Sequence, residues 1–371
     1  MKTGKSLQEL AVEIERQANT KRDLVAPVEK LRFIVEGKAV NEDEVELAVA
    51  KKDGTTDYLG INQLAHSQIA EYVGIPQPYY RRLLAEDPRL LEQNVNRWLP
   101  AVKDDRRLVR TLDGKVRAFL SDKYRPLDNE ELAEAVLPVL LDRKLSILSC
   151  EITERRLYIK AVDERILQDV PTGKALGDGS HHFFDTISPG IVISNSEVGF
   201  GATDISASVF TRACTNLALY GTLIRKTHVG ARIQAGDDAY ALFTDHTKKL
   251  TDGAALSQIR DVVAAAFDEA RFAAHADKLK EAAGVKLEAK VVTEVVERFG
   301  KKYQLTEGTR NGILARLIEG GDLSKYGLHA AVTRHSQDVE DYDTATELER
   351  LGGQVIDIKA TEWKQLTAVA A

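Results

Sequence analysis

Two aspartate-glycine pairs, Asp53-Gly54 and Asp113-Gly114, each interrupt a run in which apolar and charged residues alternate, and that pattern commits the chain to antiparallel hairpins. Alternation turns every second side chain to one face of a strand, and aspartate-glycine accepts the positive φ angles of the tight turn that reverses it. The first run is EVELAVAKKDGTTDYLGI and the second RRLVRTLDGKVRAFLSDKY. In the second, a period of two aligns Arg106, Leu108 and Arg110 before the turn and Lys115, Arg117 and Phe119 after it, which predicts an exposed basic hairpin face. LRFIVEG, LSILSCEITERRLYIKAV with its bend at Glu154-Arg155, and GIVISNSEVGFG add further strands.

Helical spacing marks the opening stretch through Leu7, Leu10 and Ile14, two short helices around Gly74, another over about Pro88–Leu99, and one capped by Asp128 or Asn129, with Glu130 and Glu131 in its first turn. ATDISASVFTRACTNLALYGTLIRKTHVG fits a further helix, with Val209, Ala213, Leu217 and Tyr220 on one face and Arg212 and Asn216 one turn apart on the other. DVPTGKALGDGSHHFF, polar and rich in glycine, predicts a mobile loop. From Ala239 onward the pattern is mostly helical. The expected fold is α+β: a twisted antiparallel sheet of hairpins packed on helices, followed by a mainly helical C-terminal region. Three parts are expected: 1–100 with the first strands and a helical hairpin, 101–235 as the central sheet and helix, and 236–371 as the helical remainder.

No run approaches the roughly 18 apolar residues of a membrane helix. The charged N-terminus lacks the apolar core of a secretory signal, so an unprocessed cytoplasmic protein is expected. Cys150 and Cys214 are too few and too far apart for a disulfide framework or a structural zinc site.

The chain is acidic, with 51 Lys and Arg against 57 Asp and Glu, but the charge is segregated. Residues 80–126 hold 12 basic against 7 acidic residues, and residues 205–235 hold 4 against none. Two basic islands in an acidic chain point to a polyanion partner when they converge on one surface. The candidate phosphate-contacting and base-stacking residues are Arg106, Arg107, Arg110, Lys115, Arg117, Lys123, Tyr124 and Arg125 in the first island. In the second they are Arg212, Asn216, Arg225, Lys226, His228 and Arg232.

Other chemistries fit less well. In PTGKALGDG, Lys174 is followed by Ala175, where a phosphate loop needs serine or threonine. His181-His182 has no second ligand at helical spacing, so no metal is expected. Cys214, read as mid-helix among apolar neighbours, is expected to be buried and inert. Residues 62–84 read either as a helix-turn-helix, whose second helix carries Tyr79, Tyr80, Arg81 and Arg82, or as a plain helical hairpin.

DLVAPVEKLRF, IAEYVGIPQPYYRRLL, RTLDGKVRAFLSDKYRPLDNEEL, VISNSEVGFG, FTRACTNLALY and YGLHAAVTRHSQDVEDYDTATELERLGGQVI, in this order, resemble the phage- and plasmid-encoded family known as domain of unknown function 932. The resemblance spans about residues 23–358; Arg212–Asn216 and Tyr326–Arg334 are its most specific parts. It implies a mobile-element context. Relatives often carry asparagine-serine-histidine-aspartate-glycine where this chain has Asn195-Ser196-Glu197-Val198-Gly199. The order of basic hairpin, strands and Arg-bearing helix is also similar to annealing proteins of the RecT and lambda Bet type, which implies single-stranded DNA lying in a basic groove. The expected function is therefore single-stranded DNA binding that promotes strand annealing or recombination, by a homo-oligomer needing no cofactor, with Tyr124 or Phe119 stacking on bases. The alternatives are a phage enzyme acting on nucleic acid or nucleotide, with Glu197 and Cys214 near its cleft, and a helix-turn-helix regulator.

Overall fold

A computed structural model describes residues 1–35, 45–51, 53–101, 105–175, 182–227 and 245–368. The fold is α+β, with two mainly antiparallel six-stranded sheets. Strands β1 (Arg22–Pro27), β2 (Leu31–Val35), β3 (Val45–Ala50), β4 (Thr56–Ile61), β5 (Arg106–Leu112) and β6 (Lys115–Ser121) form the first sheet in the order β1-β5-β6-β4-β3-β2. Both aspartate-glycine hairpins are present, as β3–β4 and β5–β6. Gly54, Gly114 and Asp113 supply the positive φ angles. The parallel contact between β4 and β6 joins the two hairpins, so the sheet runs across residue 100.

Helices α2 (Gln63–Tyr72), α3 (Gln77–Glu86) and α4 (Pro88–Trp98) cover one face of this sheet. Tyr80, Leu83, Leu84, Leu91 and Val95 pack there against Phe33, Leu47 and Val109. Asp87 starts α4 by accepting the Leu90 N–H, and Pro88 occupies the first turn, where a missing N–H costs nothing.

The second sheet holds β7 (Ser146–Ile152), β8 (Leu157–Val162), β9 (Gln168–Ala175), β10 (His182–Asn195), β11 (Thr203–Thr211) and β12 (Asn216–Lys226), in the order β12-β11-β10-β8-β7 with β9 also on β10. Helices α1 (Leu7–Thr20), α5 (Asn129–Asp142) and α6 (Asp245–Ala265) bury Leu10, Leu132, Val136 and Ile259 against Ile159, Ile193 and Ile205 on one face. Helix α11 (Tyr342–Asp357) covers the other, where Glu349 pairs with Lys160 of β8, while α7 (Glu269–Gly284) and α10 (Lys325–His335) pack Phe272, Ala276 and Tyr326 with Val170, Ile187 and Val209, which share the face of Ile191 and Ile193 by register. Helices α8 (Val292–Lys302), α9 (Glu307–Gly320) and α12 (Ala360–Thr367) join α10 and α11 in a C-terminal bundle with its own core. Among the described residues, no helix is long and apolar enough to cross a membrane.

Two expectations are corrected. The expected helix through Val209, Ala213, Leu217 and Tyr220 is the β11–β12 hairpin, because β11 is buried on both faces and so loses the alternation that would have marked it. Its turn, Arg212–Thr215, contains no glycine or proline; Thr215 adopts the left-handed conformation instead, at φ 52°. Part of the expected loop DVPTGKALGDGSHHFF is likewise strand, as β9 pairs with the first half of β10, and residues 176–181 lie outside the described residues.

Candidate nucleic-acid interface

The β5–β6 hairpin does not offer the exposed basic face its alternation predicts, because its outer side is covered by the Asn195–Ala202 connection of the second sheet. Arg110 is wholly buried. Its Nε donates to Asp23 (2.9 Å), its Nη2 to Asp128 (2.8 Å) and its Nη1 to the Glu197 carbonyl (2.8 Å). Arg117, 7% exposed, donates through Nη1 to the buried Glu197 carboxylate at 2.8 Å. The other oxygen of Glu197 accepts the Asn129 N–H at 2.8 Å. Burial pushes the Asp128 carboxyl up, but Arg110 and Lys21 outweigh it and hold the group at about 2.

Polar groups on every side lock the same connection. Tyr124 donates its hydroxyl to the Ser196 carbonyl and accepts the Gly199 N–H. Gln68 of α2 bridges the Val198 carbonyl and the Phe119 N–H. Asn195 donates to the Leu127 carbonyl and accepts from Thr203. Glu197 is thus the charged centre of the joint between the two sheets. Cys214 lies in the β11–β12 turn rather than beside it, so the residues of the expected enzyme cleft are not brought together.

The remaining candidates divide. Arg107 is half-buried with its guanidinium 4.2 Å above the Tyr72 ring. Asn216 is buried, donating to the Ala330 carbonyl and accepting from Gln337, which fixes the β11–β12 turn against α10. Arg125 and Lys226 do bring the two islands together, but on a shared carboxylate: Asp252 of α6 accepts from Arg125 Nε at 3.0 Å and lies 3.8 Å from Lys226. Arg225 alternates to the opposite side of β12 from Lys226, opposite Asp204 in register. Arg106, Lys115, Lys123, Arg212 and Arg225 are exposed, whereas His228 and Arg232 lie outside the described residues.

A second surface carries both cations and accessible rings. Tyr80 of α3 meets Phe33 edge to face, and Asn96 of α4 clasps the Phe33 backbone through both its N–H and its carbonyl. The first turn of α3 and the last turn of α4 therefore sit over the same strand residue. Their outward neighbours, Tyr79 (47% exposed) and Trp98 (53% exposed), lie at the same end of the helix pair. The 3-10 turn Leu99–Ala101 that follows packs on the turn Val28–Lys30, whose first N–H binds the Asp105 carbonyl, so Arg106 joins that end. Arg82 is bound by Glu86. Arg81, Arg97 and Arg106 are exposed and claimed by no carboxylate among the described residues.

Of this set only Arg106 is among the candidate contact residues, although Arg81 and Arg97 fall in the same basic island of residues 80–126. Arg81 and Arg97 were legible as the polar positions of two amphipathic helices, and Trp98 as an aromatic outside the apolar stripe. Among the described residues, no three His, Cys, Asp or Glu side chains are grouped to hold a metal ion. Comparison of the chain with protein-family models, with curated proteins and with solved structures finds no match in any of the three.

Proposed function

We propose that this chain binds single-stranded DNA and promotes strand annealing, with the α3–α4 end as its base-contacting surface. What carries the reading is the pair of half-exposed rings, Tyr79 and Trp98, on two helices whose outward positions also carry Arg81 and Arg97, with Arg106 exposed on β5. Stacking on aromatic rings with arginines for the phosphates is how strands are held without sequence preference. Such binding needs no cofactor. The mobile-element context, the cytoplasmic location and the homo-oligomer belong to the same proposal.

A second reading, duplex recognition by α2 and α3 as a helix-turn-helix, is favoured by one observation: α3 leaves Tyr79, Arg81 and Arg82 exposed after a turn at Gly74 with φ 72°. Anisotropy titration of a labelled oligothymidylate of about 16 nucleotides against a duplex of equal length separates the two. Three phosphate-contacting cations give a log–log salt slope of about −2 on single strands. Preference for the duplex supports the second reading, and absence of binding to either at low salt overturns both.

A further inference from the structure

A cleft of about 300 Å³ lies between β9, the β11–β12 turn and helices α9 and α10. Its apolar wall is made of Ala213, Ala330, Ala331 and Leu317, with Gly320 and Gly327 beside them. Three polar groups in this apolar setting have unspent hydrogen-bonding capacity. The Thr172 hydroxyl is buried, the residue being 6% exposed, and has no partner among the described residues. Asp185 accepts the hydroxyl of the buried Tyr326 on Oδ2 at 2.8 Å, and no contact claims its Oδ1 among the described residues. Arg334 uses Nη1 on the Cys214 carbonyl and on Gln337, leaving Nε and Nη2 unclaimed among the described residues.

The charges choose between ligands. Arg316 is neutralised by Glu319 and Asp338. Arg334 is then the cation of the cleft with no carboxylate partner among the described residues, against the carboxylates of Asp185 and Asp322. A multiply charged anion such as a nucleotide would meet more negative than positive charge there. A molecule with one carboxylate and one ammonium group satisfies both ends: a planar guanidinium edge matches a carboxylate, and Asp185 Oδ1 accepts from an ammonium. We propose that this cleft binds a free α-amino acid, its carboxylate on Arg334, its ammonium group on Asp185 and its side chain on the Ala and Leu317 wall, with Thr172 donating or accepting from the buried end. The volume stands at the lower end of small-molecule sites and suits a ligand of that size.

The site does not involve the α3–α4 surface, so it stands or falls independently of the DNA-binding reading. The test is calorimetric titration of the full chain with each of the common α-amino acids, with N-acetylated and carboxamide derivatives of any that bind, and with adenosine monophosphate. The proposal expects saturable binding of at least one free amino acid. That binding weakens at least tenfold in Arg334→Gln and in Asp185→Asn, in which the amide oxygen still accepts from Tyr326, and both blocked derivatives fail. Ala330→Leu, which fills the wall without touching either charge, abolishes binding while the far-ultraviolet circular dichroism is retained. Absence of binding by every amino acid, equal binding of the blocked derivatives, or binding of the nucleotide alone overturns it.

Discussion

Replacing Arg117 by methionine tests whether the basic hairpin is an internal joint. In the native protein Glu197 is 5% exposed and has two partners, the Arg117 guanidinium and the Asn129 N–H. The substitution keeps the volume of the arginine stem but leaves a buried carboxylate with a single neutral donor, and removing one partner of a buried pair costs about 3–5 kcal/mol. Part of that is returned, because Nε and Nη2 of Arg117 are buried without partners and their desolvation disappears with them. The expected cost is therefore about 3 kcal/mol, read from urea denaturation at pH 7. Adding Glu197→Gln removes the stranded charge, so the double variant should be more stable than Arg117→Met alone, with a coupling of about 2 kcal/mol. A solvated arginine would behave differently. A cost within about 0.5 kcal/mol, the range of ordinary surface substitutions, together with no coupling, would refute the joint and return Arg117 to the exposed face.

Burial raises both thiols, Cys150 to about 11, so at pH 7 both should react slowly with a disulfide reagent. Cys150 should react only on unfolding, whereas the partly exposed Cys214 should label in the native state at a rate that climbs with pH; fast labelling of Cys150 in native protein contradicts its position under α1. Burial also lowers His66 and His329 to about 4 and His275 to about 3, while the unfolded chain protonates near 6.5. The unfolded state then binds more protons below that value, so stability is full above about pH 6.5 and falls as pH drops toward 4; a melting temperature that stays flat between pH 7 and pH 4.5 would be inconsistent with these neutral, buried rings. Arg110→Met should move the Asp128 carboxyl upward from about 2, as followed by carbon NMR; an unmoved titration would show that Lys21 alone holds it.

Much of the fold was legible wherever local chemistry and tertiary context agree. Asp113-Gly114 forces a hairpin whatever surrounds it, and α5 starts at Asp128, one of the two caps its sequence offers, with Glu130 and Glu131 in the first turn. The failures have one cause, which is burial from a distant segment. Alternation along β5 says that Arg110 and Leu108 share a face, but whether that face meets water depends on residues 195–202, nearly ninety positions away. An arginine chosen to pair Asp23, Asp128 and Glu197 looks in sequence like one chosen to meet phosphate. β11 fails by the same route, since covering both faces of a strand erases its period. The placement of Tyr79 and Trp98 at one end was hidden differently: each ring is an ordinary outward position on its own helix, and only the contacts that Tyr80 and Asn96 make with Phe33 bring those parts of the two helices together.

The most direct test of the proposed function uses the fluorescence of Trp98. The chain has two tryptophans, and Trp363 is buried in the C-terminal bundle. In a Trp363→Phe protein the emission therefore comes from the α3–α4 end alone. Stacking of bases on the exposed indole predicts saturable quenching by oligothymidylate, weakened roughly tenfold by Tyr79→Ala, since each stacked base is worth about 1–3 kcal/mol. Oligothymidylate that binds by anisotropy yet leaves Trp98 emission unchanged would place the strand elsewhere and contradict the account.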